Sequence, residues 1–149
     1  TNCTGTQISQ SDSASIEACM RLALADAQIA PDDVDYVSAH ATSTVAGDRE
    51  EAAAIRAVFG DRVPVSSVKG QLGHTLGASG GIETAAVLAM MRHGVILPNA
   101  NLAAVAEDCA GLDLPAAPRQ QPVRTVVKNC IAFGGVNATL IMRSAEAGA

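Results

Sequence analysis

Two histidines and a lysine stand where chemistry could use them. His40 follows Val37-Ser38-Ala39 and opens the small-residue run Ala41-Thr42-Ser43-Thr44. His74 lies inside Gly73-His74-Thr75-Leu76-Gly77, and Lys69 comes five residues earlier, after Val65-Ser66-Ser67-Val68. An imidazole at the end of a strand can aim into a cleft, where its ordinary pKa suits proton transfer or hydrogen-bond donation. Each residue alone has an ordinary alternative: a structural or solvated histidine, a surface lysine. The cysteines at 3, 19, 109 and 130 include no Cys-x-x-Cys spacing, so they suggest neither a zinc site nor a redox pair, and four reduced thiols are expected.

The elements that must position these residues alternate in type. Residues 1–10 read as a polar loop. Ser11-Asp12-Ser13 can cap a helix running to about Ala27, with Ile16, Cys19, Met20, Ala23 and Leu24 on its apolar face. Pro31-Asp32-Asp33 is a turn, and Val34 to Ala39 reads as a strand ending at His40. Asp48 is expected to cap an Ala- and Glu-rich helix that closes at Gly60. Val63 to Val68 reads as a short buried strand. A Gly-rich passage over 70–81 leads into a helix from about Ile82 to Arg92, apolar nearly all round and so expected to be buried. Gly94 and Pro98 end it. Four of the six prolines punctuate 98–122, around an expected strand at Leu112-Asp113-Leu114. Two last strands, Thr125 to Ile131 and Ala138 to Met142, are joined through Phe133-Gly134-Gly135. Strands alternating with helices, then a hairpin, describe a layered α/β domain.

With 149 residues the chain can bury a real core, built from aliphatic side chains because Tyr36, Phe59 and Phe133 are its only aromatics. The net charge of -5 leaves no basic footprint for nucleic acid. No apolar run nears the roughly 20 residues of a membrane span, and Thr1-Asn2-Cys3-Thr4 does not resemble a signal peptide. The missing initiator Met hints at a fragment or a processed chain, and the setting is expected to be cytoplasmic.

Three stretches, in this order, resemble the β-ketoacyl-acyl carrier protein synthases, condensing enzymes of the thiolase fold. Val37 to Asp48 is similar to that family's first-histidine motif. Val65 to Lys69 with Gly73 to Gly80 is similar to its lysine and second-histidine motif, and Cys130 to Asn137 to its terminal glycine loop. The resemblance implies that His40 and His74 act on the thioester carbonyl of malonyl-acyl carrier protein, aiding decarboxylation and stabilising the enolate oxygen. It implies a buried Lys69 paired with Glu83. Thr42 and Thr44 would bind the phosphopantetheine arm. The Phe133 N–H would complete an oxyanion hole while its ring gates the acyl pocket, with Gly134 and Gly135 letting that loop swing. Asp48, Glu51 and Asn137 would be supports. The chain departs from the family's usual residues at Ser38 (Asn), Ala41 (Gly), Val45 (Pro), Ile131-Ala132 (Phe-Gly) and Val136 (Thr). Some relatives hold a monovalent cation near positions matching Ser38, Glu83 and Asn137; with serine at 38, no metal is expected here.

That family's nucleophile is a cysteine at a strand-to-helix turn, well over a hundred residues before the first histidine, whereas 39 residues precede His40. Cys3 only superficially resembles such an elbow, and Cys19, Cys109 and Cys130 lack its context. The resemblance therefore implies the C-terminal βαβαββ half of the fold over residues 1–149, a mixed sheet between helices. A half alone would expose a large apolar face. The partners implied are a first half carrying the cysteine, an acyl carrier protein, and a second copy of the completed fold. The protein would have no cofactor of its own, since phosphopantetheine arrives on the carrier protein. The leading reading is an enzyme half. The alternatives are a non-catalytic chain-length-determining subunit and a thiolase relative acting on coenzyme A esters.

Overall fold

The computed structural model describes residues 1–5 and 11–145. In chain order the elements are β1 (Asn2–Cys3), α1 (Ser13–Asp26), β2 (Tyr36–Ser38), α2 (Val45–Phe59), β3 (Val65–Ser66), α3 (Lys69–Leu72), α4 (Ser79–His93), β4 (Val95–Ile96), β5 (Arg119–Gln120), β6 (Thr125–Ala132) and β7 (Val136–Arg143). The main sheet has the order β1-β7-β6-β2-β3. Strand β2 runs parallel to β3 and β6, whereas β6 and β7 form an antiparallel hairpin and β1 pairs antiparallel with β7. Strands β4 and β5 make a small antiparallel pair apart from it. Leaving aside β1, α1, the one-turn α3 and this small pair, the order is the expected βαβαββ around a mixed sheet.

Helices cover both faces, and strand alternation assigns side chains to each. Val37 and Val127, paired across β2 and β6, pack with Ile16, Met20 and Leu24 of α1 and with Ile55 and Phe59 of α2. Their neighbours Tyr36 and Val126 point the other way, onto Val87 and Met90 of α4. Ser38 and Lys128, two residues further along each strand, share the α4 face; Asn129 shares the α1/α2 face. Helix α1 starts where the Asp12 side chain accepts the Ser15 N–H at 2.9 Å. Helix α4 ends at Gly94, in the left-handed conformation that favours glycine.

Several elements differ from their sequence-based expectations. Asn2–Cys3 is not loop but an edge strand on β7; the rest of the expected polar loop, residues 6–10, lies outside the described residues. Asp48 does not cap α2, which begins three residues earlier at Val45, after Thr44. Strands β2 and β3 are shorter than their apolar runs, because Lys69 already begins a helical turn and Asp35 diverts to bind the Arg124 and Thr125 N–H groups. Leu112 to Leu114 contributes only an isolated bridge from Asp113 to Pro64. Helix α4 is not buried all round. It buries Ser79, Glu83, Val87 and Met90 along one stripe and exposes Ile82 and Leu88. Apolar composition records what a helix face can bury, and the described residues cover only one of the two faces.

Candidate functional site

Helix α2 shapes the loop that carries His40. The Glu51 carboxylate accepts the His40 N–H and the Ala41 N–H, both at 2.8 Å, and the Asn129 amide of β6 at 3.2 Å. Burial pushes the Glu51 carboxyl up, and these three donors pull against it. The loop needs such an anchor, since Ala41 and Ser43 adopt positive φ values of 29° and 64°, a conformation costly for residues with a Cβ. One turn inside α2, the Asp48 carboxylate accepts the Ser43 N–H at 3.1 Å; burial raises its pKa against that bond. The expected supports Glu51 and Asp48 thus both hold backbone. The Thr42 and Thr44 hydroxyls lie 3.3 Å apart. A cavity of about 530 Å³ opens below them, lined by Thr44, Asp48, Glu51 and the 99–106 loop.

His74 arrives from the opposite side, between α3 and α4. Its Nδ1 accepts the Leu76 N–H at 3.1 Å and lies 3.1 Å from Ser79 Oγ. With Nδ1 receiving a backbone donor, the neutral ring carries its proton on Nε2, which leaves Nε2–H free to donate. The rings of His40 and His74 stand 5.5 Å apart at 86°. His74 is exposed and His40 half-buried. Burial, then Lys69, drives the His40 pKa down to about 4; Glu83 opposes this, and His74 and Lys128 add to it. His40 is therefore a neutral imidazole near neutral pH.

Behind the histidines lies an ion cluster that sequence reasoning found only in part. Lys69 Nζ is 2.5 Å from Glu83 Oε1, as expected of that pair, but Lys128 Nζ is 2.6 Å from Glu83 Oε2. The expected Lys69–Glu83 pair is present, and Glu83 also binds a second ammonium, that of Lys128. All three residues are buried. Burial alone would raise the Glu83 carboxyl, but the Lys128 hydrogen bond and the Lys69 contact outweigh it and hold it below the usual range. The missed signal was a lysine in the middle of Val126-Val127-Lys128-Asn129, an apolar strand in which a charge needs a partner.

The Phe133-Gly134-Gly135 turn closes the β6–β7 hairpin, with φ of 77° and 73° at the two glycines. The Phe133 ring is 70% exposed. Strand β1 fastens this turn through Thr4 N–H to the Gly135 carbonyl, 3.1 Å. Asn137 donates to Asn2 Oδ1 at 2.9 Å and to Ser15 Oγ at 3.1 Å, so it braces the turn against β1 and α1. It faces away from Glu83 and Ser38, so the three positions associated with a cation in some relatives do not converge here. Cys3 lies exposed on β1, not at an elbow, with its thiol 3.6 Å from the Gly134 carbonyl. Among the described residues no helix is long and apolar enough to cross a membrane.

The family profile described as "Beta-ketoacyl synthase, C-terminal domain" matches residues 1–103. The chain belongs to the β-ketoacyl synthase family. Similarity extends past the profile. The 3-oxoacyl-[acyl-carrier-protein] synthase 1 of Escherichia coli (strain K12) is 42% identical over 126 residues, which cover 84% of this chain and 30% of that protein. The crystal structure of a β-ketoacyl synthase from Burkholderia phymatum STM815 superposes with a TM-score of 0.93 at 38% identity, covering 97% of this chain and 36% of that one. The ishigamide ketosynthase/chain length factor gives 0.91 at 36% identity, covering 96% and 36%. The fold is thus the thiolase-like fold of the β-ketoacyl synthases, and the chain spans about a third of the length of the relatives it matches.

Proposed function

We propose that the chain is the half of a condensing enzyme that activates malonyl-acyl carrier protein in fatty-acid or polyketide synthesis. The edge-to-face pair of His40 and His74, backed by buried lysines, carries this reading. Two imidazoles that converge can donate to one oxygen. In the reaction, the bond between C2 of the malonyl group and its carboxylate breaks and carbon dioxide leaves. The electron pair becomes an enolate whose oxygen takes both donated hydrogen bonds. C2 then attacks the acyl thioester on a cysteine of the first half, a carbon–carbon bond forms, and the cysteine sulfur leaves as thiolate. One donor at such a developing charge contributes about 3–4 kcal/mol.

Thr42 and Thr44 bind the phosphopantetheine arm that the carrier protein delivers, and the protein needs no cofactor of its own. The Phe133 N–H serves the acyl oxyanion and its exposed ring is the gate. The first half covers the exposed side of α4, and the completed fold dimerises in the cytoplasm. A chain-length-determining subunit is the second reading, supported by the likeness to the ishigamide ketosynthase/chain length factor; the paired histidines favour the enzyme. Assembly with a first half carrying the cysteine tests the choice. Replacing His40 or His74 by Ala should leave substantial cysteine acylation, read by mass spectrometry. Release of labelled carbon dioxide should fall by about 10²-fold or more. Normal decarboxylation by both variants would favour the chain-length-determining reading.

A further inference from the structure

Lys128 is only 3% exposed, and its ammonium has three neighbours: Glu83 Oε2 at 2.6 Å, the Asn129 carbonyl at 3.1 Å and Cys130 Sγ at 3.7 Å. Lys69 already supplies one positive charge to Glu83. A second buried ammonium on the same carboxylate is not needed for neutrality, and burying it opposes folding. Among the described residues the other buried acid is Glu51, which accepts from the loop backbone and Asn129; Lys69 also acts on it, but burial outweighs Lys69 and these donors and pushes its carboxyl up, towards the neutral form. The cluster of Lys69, Glu83 and Lys128 therefore carries one surplus positive charge.

We propose that Lys128 is a positioning residue: a tethered counter-cation that clamps the second oxygen of Glu83 and leaves a surplus positive charge beside the His40–His74 pair, where the enolate develops. This rests on the condensing reading above. The groups acting on His40 are Lys69 of α3, His74, Glu83 of α4 and Lys128 of β6, while Glu51 of α2 binds its backbone. Burial and then Lys69 lower the His40 pKa most, and Lys128 adds a smaller push in the same direction, so it helps keep the imidazole a neutral donor. A charge fixed to the strand also removes any requirement for a diffusible cation at Glu83.

The test uses the chain assembled with its first half. In Lys128→Met, carbon dioxide release should fall at least about tenfold more than cysteine acylation, and the His40 titration followed by NMR should move upward. Lys128→Arg should retain most of the rate, and ethylammonium should restore Lys128→Ala at least about fivefold. An unmoved His40 titration together with unchanged carbon dioxide release in folded Lys128→Met would overturn the assignment. So would a rate defect that neither arginine nor ethylammonium relieves, since that marks packing alone. If the neutral variants do not fold, the wild-type assembly still decides: replacing sodium and potassium by tetramethylammonium should leave turnover unchanged, and a tenfold fall would overturn the tethered-cation role. A wild-type assembly that acylates but releases no carbon dioxide would remove the condensing reading; the His40 titration in Lys128→Met would then stand as the separate test of Lys128.

Discussion

Ala41 holds a backbone conformation that its side chain disfavours. Its φ of 29° and the pair of 2.8 Å bonds around Glu51 describe a loop held by its anchor against local preference. Ala41→Gly should therefore stabilise the protein by about 1 kcal/mol. Glu51→Ala should cost about 3 kcal/mol or more, because two backbone N–H groups and the Asn129 amide lose their acceptor; urea unfolding measures both. His40 gives a pH prediction. Its folded pKa of about 4 lies below the ordinary 6.5, so between those values the unfolded chain binds a proton that the folded chain refuses. Its contribution to stability is complete above about pH 6.5 and is lost as pH falls towards 4. Unfolding followed across pH 4–7 should show this decline, and His40→Gln should flatten it. The histidines were legible because the motifs around them, a strand end before His40 and a Gly-rich passage around His74, resemble those of a known family. The strain at Ala41 was legible only as a missing glycine, since φ depends on how α2 holds the loop.

Strand β6 joins the site to the core, and its energetics are coupled. Lys69→Ala alone leaves Glu83 with Lys128, so it should cost less than the roughly 3–5 kcal/mol expected for stranding a buried charge. The double replacement Lys69→Ala with Lys128→Ala strands the carboxylate and should exceed the sum of the single changes by about 1–3 kcal/mol. A double-mutant cycle by thermal unfolding measures the excess. Hairpin and helix positions were readable from apolar periodicity and from the glycines at 94 and 134–135. Strand lengths and β1 were not. Asn2–Cys3 is too short to show a period, and it exists because β7 offers it partners. Lys128 escaped for a related reason: its partner Glu83 lies 45 residues away in sequence.

At the scale of the molecule, α4 is a helix with two apolar faces and one cover. Leu72, Leu76, Ile82 and Leu88 are exposed on or just before it, an arrangement typical of association surfaces. The chain by itself should self-associate or unfold without cooperativity, and a matching first half should suppress this. Light scattering and calorimetry of the chain with and without that half measure it, and a cooperative monomer would contradict it. Sequence could foretell that α4 is apolar all round, but not which side its own sheet takes.

The opposite facing of Lys128 and Asn129 has one more consequence. One residue of β6 addresses the ion cluster and the next addresses the loop anchor. The hairpin register with β7 therefore works as a reading frame for the site. Deleting one residue from β6 before Lys128 would keep the composition almost intact, yet it would turn an ammonium towards Met20 and an amide towards Glu83. The site should tolerate many substitutions along this hairpin but no single-residue deletion there, because parity, once lost, has no local repair.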